Sequence, residues 1–212
     1  MRKHGTSGWL WMAAVAAIAA GCSQAPRRAG ADKPAEAAPA VPAAETLPAV
    51  AVMRTSFGEI EIDLFGDRAP ATVKNFAEYA KRGHFDGTIF HRVMDGFMIQ
   101  GGGFLPDMRE KPTRAPIPNE ATNRLGNLRG TIAMARTPDP HSASSQFFIN
   151  VVDNPMLDHR APTFDGFGYC VFGRVSRGMD VVDRIKAVPT TSLGGHENVP
   201  AQPVLIEKVE IR

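Results

Sequence analysis

The chain has 212 residues, two cysteines and nearly balanced charge, 24 Lys plus Arg against 22 Asp plus Glu. That length suits one folded domain with appendages. Five basic and three acidic residues precede residue 49, leaving 19 of each beyond it, so the domain offers no electrostatic footprint for nucleic acid and no field to steer a highly charged substrate.

Residues 1–22 read as an export signal. Arg2 and Lys3 make a positive start, and Trp9 to Ala20 is an apolar run of 12 residues, too short to span a bilayer as a helix. The run ends in Ala19-Ala20-Gly21-Cys22, which resembles a bacterial lipobox with Ala19 where that pattern prefers Leu. Cys22 is therefore expected to be lipidated, placing the protein on the periplasmic side of the cell envelope. Ordinary cleavage after Ala17-Ile18-Ala19 is the alternative, and it gives a soluble periplasmic or secreted protein.

Residues 23–48 read as a disordered linker. Ala and Pro dominate, and a segment so poor in large apolar residues cannot offset its ordering entropy. Pro26, Pro34, Pro39, Pro42 and Pro48 bias it toward extended polyproline II, with a full reach of ~80 Å at ~3.1 Å per residue.

The folded domain is expected over residues 49–212. Val50 to Phe57 reads as a strand, and Ser56-Phe57-Gly58-Glu59 as a turn. In the next strand Ile60, Ile62 and Leu64 point inward while Glu59, Glu61 and Asp63 point to solvent. Acids recurring with period two mark a solvated face rather than a catalytic carboxylate pair. Pro70 to Arg82 predicts a helix, with Pro at the first helical position, an apolar stripe of Val73, Phe76, Ala77 and Ala80, and Gly83 closing it.

Phe90 to Phe104 reads F-H-R-V-M-D-G-F-M-I-Q-G-G-G-F. Alternation puts Phe97 and Ile99 on one face of a strand, and Met98 and Gln100 on the other. Both faces can serve one pocket only if the strand bends, which Gly101-Gly102-Gly103 permit. A fixed cation, Arg92, beside an apolar patch and an amide suits a greasy ligand that carries a carbonyl. The competing reading is a buried strand with one surface Arg.

Residues 105–130 carry four prolines and form a long irregular excursion, of the kind that is usually functional inside a compact domain. Thr131 to Ala135, Gln146 to Val152, Tyr169 to Val175 and Val204 to Ile211 read as strands, and Gly178 to Lys186 as a short helix. Leu157 falls in a loop running to Gly168. Many short strands with two helices argue for a closed antiparallel barrel. Cys22 and Cys170 could pair, but Cys170 lies in an apolar strand-like run, where a buried free thiol is the commoner state. The six His show no paired metal spacing such as H-E-x-x-H, and no nucleophile elbow or Walker loop is present.

Three blocks in order, Phe90 to Phe104, Ser145-Gln146-Phe147-Phe148-Ile149-Asn150 and Tyr169-Cys170-Val171-Phe172-Gly173-Arg174-Val175, resemble the signature of the cyclophilins, the cyclophilin-type peptidyl-prolyl cis-trans isomerases. The resemblance covers residues 49–212 and is strongest to the short bacterial members. It implies a mainly β fold: a closed eight-stranded antiparallel barrel with a helix over each end. It also implies isomerisation of X-Pro bonds without a cofactor or metal. The expected partners are proline-containing peptides and unfolded or exported proteins, met by a monomeric domain. Arg92 stands at the family's catalytic arginine. Phe97, Met98, Phe148 and Leu157 stand in its proline pocket. Gln100 and Gln146 stand at amides that bind the peptide backbone and orient the arginine. Ala135 and Arg136 stand at the strand end that pairs with bound peptide. Met156, Tyr169 and Arg136 depart from the family's frequent Trp, His and Asn, which bears on cyclosporin binding more than on isomerisation.

The chemistry fits those residues. Rotation about a peptide bond faces a barrier of roughly 18–20 kcal/mol, and X-Pro exchange takes tens to hundreds of seconds. In the twisted state the proline nitrogen becomes pyramidal and more basic, so a donor beside it is worth more there than in the planar ground state. Arginine supplies a permanent charge and a fork of donors without transferring a proton. A ~10⁵-fold acceleration needs about 7 kcal/mol. A non-catalytic peptide-binding or chaperone module on the same barrel is the rival reading. A purely structural envelope lipoprotein is disfavoured by the polar cluster of Arg92, Gln100 and Gln146.

Overall fold

The computed structural model describes Leu47 and residues 49–212. Cys22 and the linker expected over residues 23–48, except Leu47, lie outside the described residues. The strands are β1 (Val50–Thr55), β2 (Gly58–Leu64), β3 (Thr88–Met94), β4 (Met98–Gly101), β5 (Thr131–Met134), β6 (Phe147–Asn150), β7 (Val171–Arg177), β8 (Thr190–Leu193), β9 (His196–Pro200) and β10 (Leu205–Ile211). The helices are α1 (Pro70–Lys81) and α2 (Met179–Lys186).

Eight strands close an antiparallel barrel in the order β1-β10-β3-β4-β6-β5-β7-β2, while β8 and β9 pair separately as a hairpin. Period-two patterning builds it. Ile60, Ile62 and Leu64 enter the interior while Glu59 to Asp63 alternate outward. Phe147 and Ile149 point inward and Phe148 points out, although β6 is buried on both faces.

Both helices bury their apolar stripes in that interior cluster, Val73, Phe76, Tyr79 and Ala80 from α1 and Val181, Val182 and Ile185 from α2. Phe76 of α1 meets Phe85, Phe147 and Phe172 at centroid distances of 5.1, 5.7 and 5.3 Å, tilted and edge-on contacts that add to simple burial. α1 ends at Lys81 with Gly83 just beyond it, whose N–H returns to the Ala80 carbonyl at 2.9 Å.

Strand limits differ from the reading of the sequence at their ends. β1 stops at Thr55 because the two-residue Ser56-Phe57 loop turns the chain, and Thr55 and Gly58 close the ladder. β7 begins at Val171, leaving Tyr169 before the strand. The β8–β9 hairpin was not anticipated. Its strands are largely exposed and polar, so no hydrophobic alternation announces them.

Candidate active site

The barrel's outer face carries a second, smaller apolar cluster. Met98, Ala133, Phe148 and Val171 from four neighbouring strands form its buried part, with Phe97, Ala135, Leu157 and Tyr169 packed against it. Over it lies a cleft of about 100 Å³ lined by Arg92, Phe97, Met98, Gln100, Ala135, Arg136, Phe148, Leu157 and Tyr169. Nine of the ten residues singled out in the domain thus face one cavity. The tenth, Gln146, lines the adjoining cavity with Gln100, Glu110, Ala135 and Arg136.

A bulge aims Arg92 into this cleft. In the β3–β4 ladder Phe90 faces Gly101 but Arg92 faces Gln100, so β3 carries one extra residue at His91. Such a bulge reverses the alternation. Phe90 and Val93 both reach the interior, and Arg92 is released to the outer face. Among the described residues no carboxylate or hydrogen-bond acceptor pairs with the Arg92 guanidinium. A half-buried cation left without a partner beside apolar walls is available to a ligand.

The bend that brings Phe97 and Met98 together lies elsewhere than expected. Phe97 stands in the turn before β4, its N–H donating to the Met94 carbonyl at 3.1 Å. Strand alternation therefore does not govern it, and Phe97 and Met98 line the same cleft. The glycine run serves another purpose. A Cβ on Gly103 would lie 2.6 Å from Cγ and 2.7 Å from Cδ of Gln146, so the bare Cα is the seat of the Gln146 side chain.

Gln100 Nε2 donates to Gln146 Oε1 at 3.0 Å, and Gln146 Nε2 donates to Glu110 Oε1 at 3.0 Å. Arg136 folds over the Tyr169 ring, its guanidinium carbon 4.5 Å from the centroid, and its Nε donates to the Gly168 carbonyl at 3.0 Å. Its side chain thus builds the wall of the cleft. Tyr169 meets Phe148 edge-on at 5.6 Å. The Ala135 N–H is occupied by the Gln146 carbonyl at 3.0 Å.

Three buried asparagines that the sequence reading left without a role hold the cleft's rim. Asn154 Nδ2 donates to the Phe97 carbonyl at 2.9 Å and to Asn150 Oδ1 at 2.8 Å. Asn150 Nδ2 donates to Asn127 Oδ1 at 3.3 Å, and the Asn127 N–H donates to Asp158 Oδ1 at 2.7 Å. This ladder ties the Phe97 turn to the 3₁₀ turn Pro155–Leu157, which carries Leu157 and an exposed Met156. Hydrogen-bonded polar groups at 0–2 % exposure are costly to disturb. Asn150 closes an apolar strand and Asn127 and Asn154 stand in loops, patterns too common to single out.

Next to Arg92 in the chain, His91 packs at a tilt against Phe104 at 4.6 Å, and Phe104 meets His196 at 5.1 Å. Burial first, then the neighbouring His196 and Arg92, pushes His91 down to about 4, so it stands neutral. Cys170 is a buried free thiol that burial raises to about 11, which keeps it protonated and inert at neutral pH.

An apolar outer cleft with a guanidinium that has no partner among the described residues suits a greasy ligand that carries a carbonyl. The model of the cyclophilin type peptidyl-prolyl cis-trans isomerases matches residues 50–211. Peptidyl-prolyl cis-trans isomerase cyp18 of Streptomyces antibioticus is 59% identical over 159 residues, covering 75% of this chain and 96% of that one. Peptidyl-prolyl cis-trans isomerase B of Escherichia coli K12 is 57% identical over 157 residues, covering 74% and 96%. A Cryptosporidium parvum cyclophilin solved in the presence of the dipeptide Ala-Pro superposes with a TM-score of 0.63 at 25% identity, covering 77% of this chain and 98% of that one. The chain belongs to the cyclophilin-type peptidyl-prolyl cis-trans isomerases. It is an isomerase of peptidyl-prolyl bonds.

Proposed function

We propose that this isomerase acts on proline-containing segments of exported proteins, with Arg92 as the catalytic donor and the apolar cleft as the proline seat. The observation that carries the reading is the Arg92 guanidinium, without a partner among the described residues and lining the same cleft as Phe97, Met98, Phe148 and Leu157. The solved relative with Ala-Pro supports a proline-bearing ligand for this chain too. In this reading the proline ring enters the apolar cleft, Gln100 and Gln146 take the flanking backbone, and Arg92 donates to the proline nitrogen as the bond twists. The donor is worth more in the twisted state than in the planar one, and that difference is the catalysis.

The domain works as a monomer from about residue 49 onward. It is carried by the Ala/Pro linker of residues 23–48 and held at the cell envelope by lipid on Cys22. The positive start, the apolar run of 12 residues and the Ala-Gly-Cys ending support export and anchoring.

The test is a proline-isomerisation assay on a short X-Pro peptide. Arg92→Ala is expected to lower kcat/KM by orders of magnitude, and Arg92→Lys to restore little, since a point charge does not reproduce the fork. Phe148→Ala is expected to act mainly on KM through lost apolar contact. Full activity in Arg92→Ala would falsify the mechanism.

A further inference from the structure

Glu110 is a carboxylate at the site that the reaction itself does not require. It is exposed and belongs to a stretch in which no strand holds it. Two backbone hydrogen bonds nevertheless fix its place. The Leu105 N–H donates to the Arg109 carbonyl at 3.0 Å and the Lys111 N–H donates to the Gly103 carbonyl at 2.8 Å, which together set Glu110 opposite Phe104 as an isolated antiparallel bridge. The excursion thus returns Glu110 to Gly103, on whose bare Cα the Gln146 amide is seated.

A carboxylate only accepts hydrogen bonds, whereas an amide has one accepting and one donating end. Glu110 therefore draws the NH₂ end of Gln146, at 3.0 Å. The Oε1 of Gln146 is left to accept, and it takes the NH₂ of Gln100 at 3.0 Å. What remains at the far end of the relay is Oε1 of Gln100. In the ladder Gln100 stands directly opposite Arg92, and opposed side chains share a face.

We infer that Glu110 is a positioning residue of this isomerase. By setting the direction of the Gln146–Gln100 relay, it keeps an amide oxygen, rather than an amide NH₂, as the end available to the Arg92 guanidinium. No hydrogen bond joins the two in the structure, but an oxygen there is an acceptor for the fork when it turns, whereas an NH₂ there opposes it. This role for Glu110 rests on the one proposed for Arg92.

The test uses the full chain and an uncharged X-Pro peptide, so that a changed charge at position 110 neither attracts nor repels substrate. Glu110→Lys turns an acceptor into a donor and reverses both amides. It is expected to lower kcat about three- to five-fold, the scale of one exposed polar contact, with a smaller change in KM. Glu110→Gln removes the charge but keeps an oxygen that accepts from the Gln146 NH₂, so it is expected to retain most of the wild-type kcat. The Arg92 Nε–Hε resonance in NMR is expected to move in Glu110→Lys and to stay near its wild-type position in Glu110→Gln. A merely structural role for Glu110 predicts no such split of kcat and resonance between the two variants. Wild-type kcat in a folded Glu110→Lys chain, or an equal loss in a folded Glu110→Gln chain, overturns the inference. If Arg92→Ala is inactive while Glu110→Lys is unimpaired, only this inference falls. If Arg92→Ala is fully active, the reading beneath it falls as well.

Discussion

At the scale of single residues, the site depends on one extra residue in β3. Simple alternation sends Arg92 to the same side as Phe90, into an aromatic interior where an unpaired cation is prohibitive. The bulge at His91 prevents this, since Phe90 and Val93 share the interior while Arg92 lines the cleft. His91 carries a cost of its own, for its Nδ1 is buried without a partner. Its native value of about 4 lies below the ordinary 6.5. Between those two values the unfolded chain binds a proton that the native chain does not, so stability falls as pH falls through that window. Above about 6.5 both states are neutral and the penalty vanishes. Urea midpoints measured at pH 7 and pH 5 should therefore diverge in the wild type and diverge less in His91→Phe, the remainder coming from His84, which burial also lowers. The catalytic rate, which moves no proton, should stay nearly flat from about pH 6 to 8; a bell-shaped profile would point to a titrating catalyst instead.

At the scale of elements, the turns decide more than the strands do. Gly178 precedes α2 at a φ of 83°, in the left-handed region, and a Cβ there would collide with the Glu59 carbonyl oxygen. Gly178→Ala is thus strained in its backbone and blocked by β2, with no flexible side chain to yield. It should cost about 2 kcal/mol or more and lower Tm by several degrees. The folded fraction should keep its activity, because α2 contributes nothing to the cleft lining. A Tm unchanged by calorimetry would contradict the collision. The helices were legible because a 3.6-residue stripe and a proline at the first helical position are local signals. The turn holding Phe97 was not. Its carbonyl is gripped by Asn154 and by the Val151 N–H at 3.1 Å, contacts more than fifty residues away along the chain.

At the scale of the whole molecule, the described domain is one barrel whose apolar outer cleft carries the site, while the proposed anchoring lies in residues 1–48. Mass spectrometry of the membrane-extracted protein should find a diacylglyceryl group on Cys22. A soluble protein whose mature chain starts at Ala20 would instead support ordinary cleavage. The neutral balance of the domain, 19 charges of each sign beyond residue 48, suits a catalyst that reads a short apolar ring and a backbone rather than a charge pattern.

By itself the sequence determined the barrel, the helices and the residue types of the site. Period-two alternation, stripe spacing and three ordered blocks are each written in neighbouring residues. Only the tertiary structure decided that the cleft lies on the barrel's outer face, that a bulge rather than the glycine run directs Arg92, and that Gly103 exists to seat Gln146. It alone brought Glu110 to the amide pair and joined Asn127, Asn150 and Asn154 into the rim. The physical reason is common to all of these. Each depends on a hydrogen bond or close approach between segments far apart in the chain, and such a contact leaves no periodicity in either segment.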